Sequence, residues 1–252
     1  MTTLISPRRA VALSRAESTL FLRNPTLMVM ALFMPPSMAL IMYGIYDSQA
    51  GTEPRLAAGF ASELFVLAAL MFVQFYSVLS AITARRDEGV LKRLRTGEAT
   101  DAEILSAVAV PGALITIVST LVVTVVLSGF AGGTPTDVVR LVLAVGFGLA
   151  LSTAFAFVTS IYTRSVESAQ VTSLPVMGMA MLSQSGIREM MPERVRELVD
   201  RTPFAVISDF SLSSWTTEPV GTGAVQGVLI LLVWTLALGY WAYSSMRWDS
   251  HR

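Results

Sequence analysis

The chain lacks several residue types on which protein chemistry usually depends. It has no cysteine, one histidine and one lysine among 252 residues. Without cysteine it can form neither a disulfide framework nor a thiolate metal site. His251 lies in the polar tail, and charged residues make up only 14% of the chain, with 18 basic and 18 acidic side chains that cancel. We therefore expect no catalytic residue, no metal, no cofactor and no nucleic-acid partner.

Apolar residues are abundant, at 53% of the chain, which is typical of a membrane protein. A helix needs about 20 apolar residues to cross a hydrocarbon layer roughly 30 Å thick. Six runs meet that length: Thr26 to Tyr46, Phe60 to Ala84, Ile104 to Phe130, Val138 to Thr163, Ser168 to Gly186 and Val220 to Met246. They are too continuously apolar for barrel strands. The sequence predicts an all-α polytopic membrane protein with six transmembrane helices.

Basic residues are distributed unequally between the loops on the two sides. Short loops rich in Arg and Lys stay in the cytoplasm. The N-terminal segment, the second-to-third loop, the fourth-to-fifth loop and the tail hold twelve basic residues, against six in the remaining loops. We predict a multi-pass protein of the bacterial plasma membrane with both termini cytoplasmic.

The first 25 residues favour an amphipathic helix on the inner membrane surface. Ser6 and Pro7 supply an N-cap and a first-turn proline, and apolar residues then mingle with Arg15 and Arg23. A secretory signal is the competing interpretation. The long polar region and the long apolar run that follows it both argue against a signal.

The loop from Arg85 to Arg95 is charged yet has a helical pattern, with Leu91 and Leu94 on one face. After it, Thr100 to Glu103 has the form of a capping box that starts the third span. The spacing alone is compatible with a basic loop that only fixes topology.

The run Arg86-Asp87-Glu88-Gly89-Val90-Leu91-Lys92-Arg93-Leu94-Arg95 resembles the signature of type-2 ABC exporter permeases. A second segment, Met191 to Pro203, resembles the external segment between the last two spans of that family. With six spans and an amphipathic leader, the resemblance covers nearly the whole chain, and it favours the drug and antibiotic export branch.

This resemblance implies a permease paired with a separate ABC ATPase subunit that binds the ATP, and with a second permease copy or a paralogue. The sequence agrees, because a Walker A loop needs a glycine before its lysine, and Lys92 follows Leu91. A coupling helix between spans two and three would contact the ATPase. The residues implied there are Arg86, Glu88, Gly89, Leu91, Lys92 and Leu94.

The whole chain is therefore predicted to be a single permease domain. Its parts are a leader (1–25), a six-span bundle (26–246), a coupling loop (85–103), an external loop with a short helix (187–219) and a cytoplasmic tail (247–252).

The external loop pairs opposite charges at helical spacing, with Glu193–Arg196, Arg196–Asp200 and Glu197–Arg201 as candidate ion pairs. Val195, Leu198 and Val199 would form the apolar side. A solvated surface helix explains this pattern, and the resemblance implies an outer lid that includes Pro192, Leu198 and Pro203.

Few polar residues lie within the predicted spans. Gln74, Gln170 and Gln184 are candidates for interhelical hydrogen bonds or for contact with substrate. Glu63 and Asp209 are expected to lie close enough to the outer surface to reach water. Prolines in the first and fifth runs, at Pro35, Pro36 and Pro175, are expected to kink those spans.

Three other function classes compete with an exporter subunit. An ion-coupled secondary transporter would need acidic or histidine residues near mid-membrane, and an intramembrane protease would need a histidine or an aspartate pair in its spans. Neither pattern is evident in the sequence. A non-transporting assembly or anchoring protein remains an alternative.

Overall fold

The structure is a computed structural model that describes residues 25–88, 101–217 and 220–245, with scattered positions between 12 and 23. Most of the predicted leader, the predicted coupling residues Gly89, Leu91, Lys92 and Leu94, the Thr100 cap and the tail lie outside the described residues.

Every regular element within the described ranges is helical, as the sequence predicts. In chain order the helices are α1 (Pro25–Leu32), α2 (Met34–Asp47), α3 (Pro54–Ala68), a π-helix (Ala69–Phe75), α4 (Tyr76–Asp87), α5 (Asp101–Phe130), α6 (Val138–Tyr162), α7 (Val166–Thr172), α8 (Leu174–Leu182), α9 (Ser185–Glu189), α10 (Glu193–Asp200), α11 (Pro203–Ser213) and α12 (Ala224–Ser245).

Four helices are long and apolar enough to cross a membrane by length and composition. They are Pro54–Asp87, Leu105–Phe130, Val138–Tyr162 and Ala224–Ser245, and they correspond to the second, third, fourth and sixth predicted runs. The first run is instead divided between α1 and α2, and the fifth between α7 and α8.

Proline explains where these two runs are divided. Pro35 lies in the first turn of α2, and Pro175 lies in the first turn of α8. A proline has no N–H to donate and its ring clashes with the preceding turn, so a helix restarts at that point. The sequence predicts that these prolines kink the two runs, and in the structure each run is interrupted next to its proline.

The helix Pro54–Asp87, which we call the central helix, combines α3, the π-helix and α4 and is 34 residues long. At 1.5 Å per residue it extends roughly 50 Å, longer than the hydrocarbon core of a bilayer. It packs against α2, α5, α6 and α11, and most of its surface is buried. The other elements are therefore arranged around it.

Hydrogen bonds between distant segments define two ends of the bundle. At the first end, the Asp137 N–H donates to the Ser214 carbonyl at 3.0 Å, and the Ser185 N–H donates to Glu63 at 2.6 Å. We call this the acidic end. At the other, which we call the Arg86 end, Arg86 donates to the Ser160 carbonyl at 2.7 Å. Among the described residues, the loop between α5 and α6 therefore lies at the acidic end, and the loop between α6 and α7 lies at the Arg86 end.

The segment expected to be an external loop with one short helix is more ordered than that. It contains most of α9 and all of α10 and α11, and all eleven residues of α11 are buried. The side chains of α11 pack against the central helix and α6. The serine and aspartate side chains of this segment are typical of an exposed loop. In the structure Ser208 and Asp209 are buried and form hydrogen bonds with Glu63 and Arg188.

Candidate functional site

Four ionisable side chains meet inside the acidic end. Glu63 comes from the central helix, Arg188 from α9, Asp200 from the end of α10 and Asp209 from α11. We call them the charge cluster. Glu63, Arg188 and Asp209 are 3%, 6% and 1% exposed, whereas Asp200 lies partly in solvent. The prediction that Glu63 and Asp209 reach water is wrong. Residues of α9 and α11 cover Glu63, and Arg188 and the segment before α12 cover Asp209.

Arg188 holds the cluster together through its two terminal nitrogens. Its Nη1 donates to Asp200 Oδ1 at 2.6 Å, and its Nη2 donates to Asp209 and, at 3.3 Å, to Ser208 Oγ. Burial by itself would lower the pKa of the Arg188 guanidinium, but Asp209 and Asp200 outweigh it and raise that pKa. Arg188 therefore stays charged and joins three helices.

The second oxygen of Asp209 is bound by the segment that leads into α12. Asp209 Oδ2 accepts hydrogen bonds from the Thr222 N–H at 2.8 Å and from Thr222 Oγ1 at 2.9 Å. Gly221 has φ +72°, and a Cβ there would overlap the Asp209 carboxylate. Only glycine gives this turn both its left-handed backbone and its close approach to Asp209.

Glu63 is held by three donors from two other helices. Its Oε1 accepts from the Ser185 N–H and from Ser208 Oγ, both at 2.6 Å, and its Oε2 accepts from Ser185 Oγ at 2.5 Å. A buried carboxylate is costly unless such donors satisfy it. The central helix is thereby tied to α9 and α11 at the acidic end.

Two adjoining cavities lie along the central helix. One is beside Glu63 and is called the inner cavity, and the other continues from it along the central helix. The inner cavity, of about 230 Å³, is lined by Glu63, by Tyr46 and Phe60, which stack with ring centroids 4.0 Å apart, and by parts of α2 and α9. The second cavity, of about 360 Å³, lies between α2, the central helix and α8. Leu64 and Gln184 line both cavities, so we treat them as one groove.

The surface of this groove is mostly apolar and rich in sulfur. Six of the 13 methionines of the chain line it, namely Met38, Met42, Met71, Met177, Met181 and Met190. Methionine side chains are flexible and polarisable, and they suit surfaces that accept ligands of varied shape. Leu174 and Met181 are 60% and 62% exposed, so the groove is open along α8.

The three glutamines singled out from the sequence lie in different environments. Gln74 is buried in the π-helix, and its Nε2 donates to the Ala109 carbonyl at 3.2 Å and to Thr153 Oγ1 at 2.7 Å. These bonds join the central helix to α5 and α6. Gln184 is half-buried and lines the groove, whereas Gln170 is exposed on α7.

At the Arg86 end, the two described coupling candidates differ in exposure. Arg86 is buried, at 1% exposed, and it donates to the carbonyls of Ser160 and Thr163 at the C-terminus of α6. A cation is favourable there because the helix dipole and the last free carbonyls are negative. Glu88 is exposed at the end of α4. Arg86 therefore joins the end of α4 to the end of α6.

The candidate lid residues are also divided between surface and interior. Pro192 and Leu198 are exposed, and Pro203 is buried at the start of α11. No residue of α10 is buried, so its predicted apolar side faces outwards. Arg196 and Asp200 lie 3.8 Å apart. Among the described residues the other two predicted pairs of α10 do not form, because their side chains extend into solvent.

The charge cluster is the feature that sequence reasoning missed. The signal available was an acidic residue, Glu63, inside an apolar run, since such residues are costly and usually functional. Its partner Ser185 is 122 residues away in the sequence. Only the packing of α9 and α11 on the central helix brings these groups together.

A comparison with protein families agrees with the geometry of a helical membrane protein. The family model described as ABC-2 type transporter matches residues 8–207. The match includes the central helix, the whole groove and every residue of the charge cluster except Asp209. No curated protein matches the chain.

Proposed function

Because the chain belongs to the ABC-2 type transporter family, we propose that it is the permease subunit of an ATP-driven exporter in a bacterial plasma membrane. It forms half of the path for an amphipathic, drug-like or lipid-linked substrate. ATP is bound and hydrolysed by a separate subunit, and this chain serves as the membrane component of the transporter.

The open groove is the observation that carries the substrate side of this proposal. Ligand sites are concave, mostly apolar and provided with a few polar groups. The groove has this composition, with methionines along its length and Glu63, Tyr46 and Gln184 near the acidic end. An amphipathic molecule fits a surface that is apolar at one end and polar at the other.

We propose that the interrupted runs are kinked spans, which gives six crossings in total. Hydrogen bonds of the i to i−4 type reach the interrupting residue from both sides, because the carbonyls of Phe33 and Ser173 accept from the Ser37 and Met177 N–H groups at 2.9 Å and 3.0 Å. The Phe33 N–H donates to the Val29 carbonyl at 3.0 Å, and the Ser173 N–H donates to the Ala169 carbonyl at 3.0 Å. Residues 25–47 and 166–182 then extend roughly 35 Å and 26 Å, close to the thickness of a hydrocarbon core.

In this arrangement the Arg86 end faces the cytoplasm and the acidic end faces outwards. The unequal distribution of basic residues supports that orientation. Both termini and the loop from Arg85 to Arg95 are then cytoplasmic, where the loop can contact an ATPase subunit. Arg86, bonded to the end of α6, would transmit force from that loop to the bundle.

A second permease copy, or a paralogue, completes the path. Within one chain the groove is lined by α2, the central helix and α8, and its exposed side chains along α8 leave it open on one side. A partner bundle facing that side would close the groove into an enclosed route.

Co-purification tests the proposal. The chain would be expressed with the ABC ATPase subunit encoded nearest to it and isolated in mild detergent, as wild type and as the Glu88→Arg, Leu91→Asp double variant. We expect the wild type to retain the ATPase and the double variant to lose it, because both changes lie on the proposed docking surface.

Leu198→Asp is the matched control, since Leu198 is an exposed apolar residue on α10 at the acidic end. It should retain the ATPase fully. Equal recovery of the ATPase from the wild type and the double variant would refute docking at this loop.

A further inference from the structure

The charges around the groove are strongly unequal in sign. Among the described residues that line its two cavities, Glu63 is the only charged one. Behind it, the charge cluster contains two further carboxylates, Asp200 and Asp209, and a single guanidinium, Arg188. Glu189 adds another carboxylate at the end of α9, beside the cavity-lining Met190.

Among the described residues, the two arginines that contact the charge cluster are both paired with its carboxylates. Arg188 is bound to Asp209 and Asp200, and Arg196 lies 3.8 Å from Asp200 on the solvent side. Neither guanidinium lines the groove. The formal charges of the charge cluster, Glu189 and Arg196 therefore sum to a negative value beside the inner cavity, and a low-dielectric surrounding strengthens the effect of such an excess on a ligand.

The walls of the inner cavity suit a soft organic cation in particular. Tyr46 and Phe60 present a stacked aromatic pair, and aromatic faces attract cations through their quadrupole. Methionine sulfur lines the same cavity through Met42 and Met190. A small inorganic cation would find few oxygen ligands here, because the Glu63 oxygens already accept three hydrogen bonds.

We propose that the groove binds amphipathic organic cations, with the cationic group beside Glu63 and the apolar body along the methionine-lined cavity. This inference rests on the proposed exporter function and narrows its substrate class. Glu63 supplies the charge selectivity, and the apolar cavity supplies affinity for any hydrophobic body. The two contributions are separable by mutation.

Two ions of nearly the same shape and opposite charge provide the test. Binding of tetraphenylphosphonium and of tetraphenylborate to the full chain in lipid nanodiscs is measured by equilibrium dialysis, with empty nanodiscs subtracted. We expect Glu63→Gln to weaken phosphonium binding by about tenfold, as expected when a partly buried charge pair is lost, and to leave borate binding unchanged or stronger.

Two further variants separate charge from apolar contact. Met177→Ala, in the apolar cavity, should weaken both ions to a similar degree. Glu53→Gln makes the same chemical change just before the central helix. Glu53 is exposed and its side chain caps no N–H, so this variant should bind both ions as the wild type does. Equal binding of the phosphonium by the wild type and Glu63→Gln would overturn the proposal.

A third acid variant keeps the test valid if Glu63→Gln does not fold. Glu189 is exposed, so Glu189→Gln should fold normally and weaken phosphonium binding roughly two- to threefold through the lost field. An unchanged phosphonium affinity in this variant would then count against the proposal.

The outcome is independent of the ATPase experiment. Charge-selective binding by a chain that does not retain an ATPase would support the cation site and contradict the exporter. Retention of the ATPase without charge selectivity would support the exporter and contradict a cationic substrate.

Discussion

Replacing Arg188 with Met should destabilise the chain strongly, and the structure indicates which partner causes the loss. Asp200 is 37% exposed and can regain water, so its loss of Arg188 costs little. Asp209 is 1% exposed and keeps only the two Thr222 donors. Removing one member of a buried ion pair costs about 3–5 kcal/mol, because a charge is left uncompensated in a low dielectric.

For a chain of this size that loss corresponds to a decrease in Tm of roughly 6–20 °C. The measurement is thermal unfolding of the detergent-solubilised chain, followed by size-exclusion chromatography of the fraction that remains monodisperse. Adding Asp209→Asn to Arg188→Met should recover part of the loss, because the stranded charge is removed together with its partner.

Arg194→Met provides the control, since Arg194 is an exposed arginine of α10, and its Tm should change by less than about 2 °C. A Tm for Arg188→Met equal to that of the wild type would refute the reasoning. A double variant less stable than Arg188→Met would show that Asp209 is not the stranded charge.

Three other changes should lower the Tm in the same assay. Gly221→Ala places a side chain at a left-handed residue with φ +72°, and such strain costs about 1–3 kcal/mol. The overlap of the new Cβ with Asp209 adds to this cost. Gly112→Ala would place a Cβ 2.6 Å from Gln74 Oε1 and should cost about 1–3 kcal/mol through overpacking. Arg86→Met should cost about 2–3 kcal/mol through lost charged hydrogen bonds and should also reduce retention of the ATPase.

Each of these changes has a matched control. Gly132 has φ +65° with open space around its Cβ position, so Gly132→Ala should cost less than Gly221→Ala. Gly129 is helical with nothing within 4 Å, so Gly129→Ala should be neutral or stabilising. Arg164→Met removes an exposed arginine near the Arg86 end and should be neutral. A control as damaging as its counterpart would contradict the corresponding contact.

The sequence predicted the long helices well because local signals define them. α6 begins at Val138 as predicted, since the Asp137 carboxylate accepts the Arg140 N–H at 3.1 Å and caps the helix. The end of α5 at Phe130 was also predicted. The central helix begins at Pro54, six residues before the predicted start at Phe60. A proline is favourable in the first turn of a helix, and the apolar run alone does not show this start.

The candidate site was harder to predict because it depends on long-range packing. α11 contains three serines and an aspartate among its eleven residues. This polar content favours a loop, and the burial of α11 follows only from its contacts with the central helix and α6. Arg188 is one of the six basic residues that the sequence assigns to the remaining loops, and a single sequence does not show which of these arginines lies inside the protein. Arg188 is the buried arginine because it pairs with Asp209, and the sequence predicts that Asp209 reaches water.

The absence of cysteine from the chain allows a direct test of the central claim, that a separate ATPase subunit docks on the loop from Arg85 to Arg95. Leu91→Cys introduces a single thiol, which a benzophenone maleimide converts into a photo-cross-linker, and the labelled chain is illuminated with the ATPase present. The account predicts a covalent product between the two subunits from position 91 and none from Leu198→Cys at the acidic end. No product from position 91, or equal products from both positions, would contradict it.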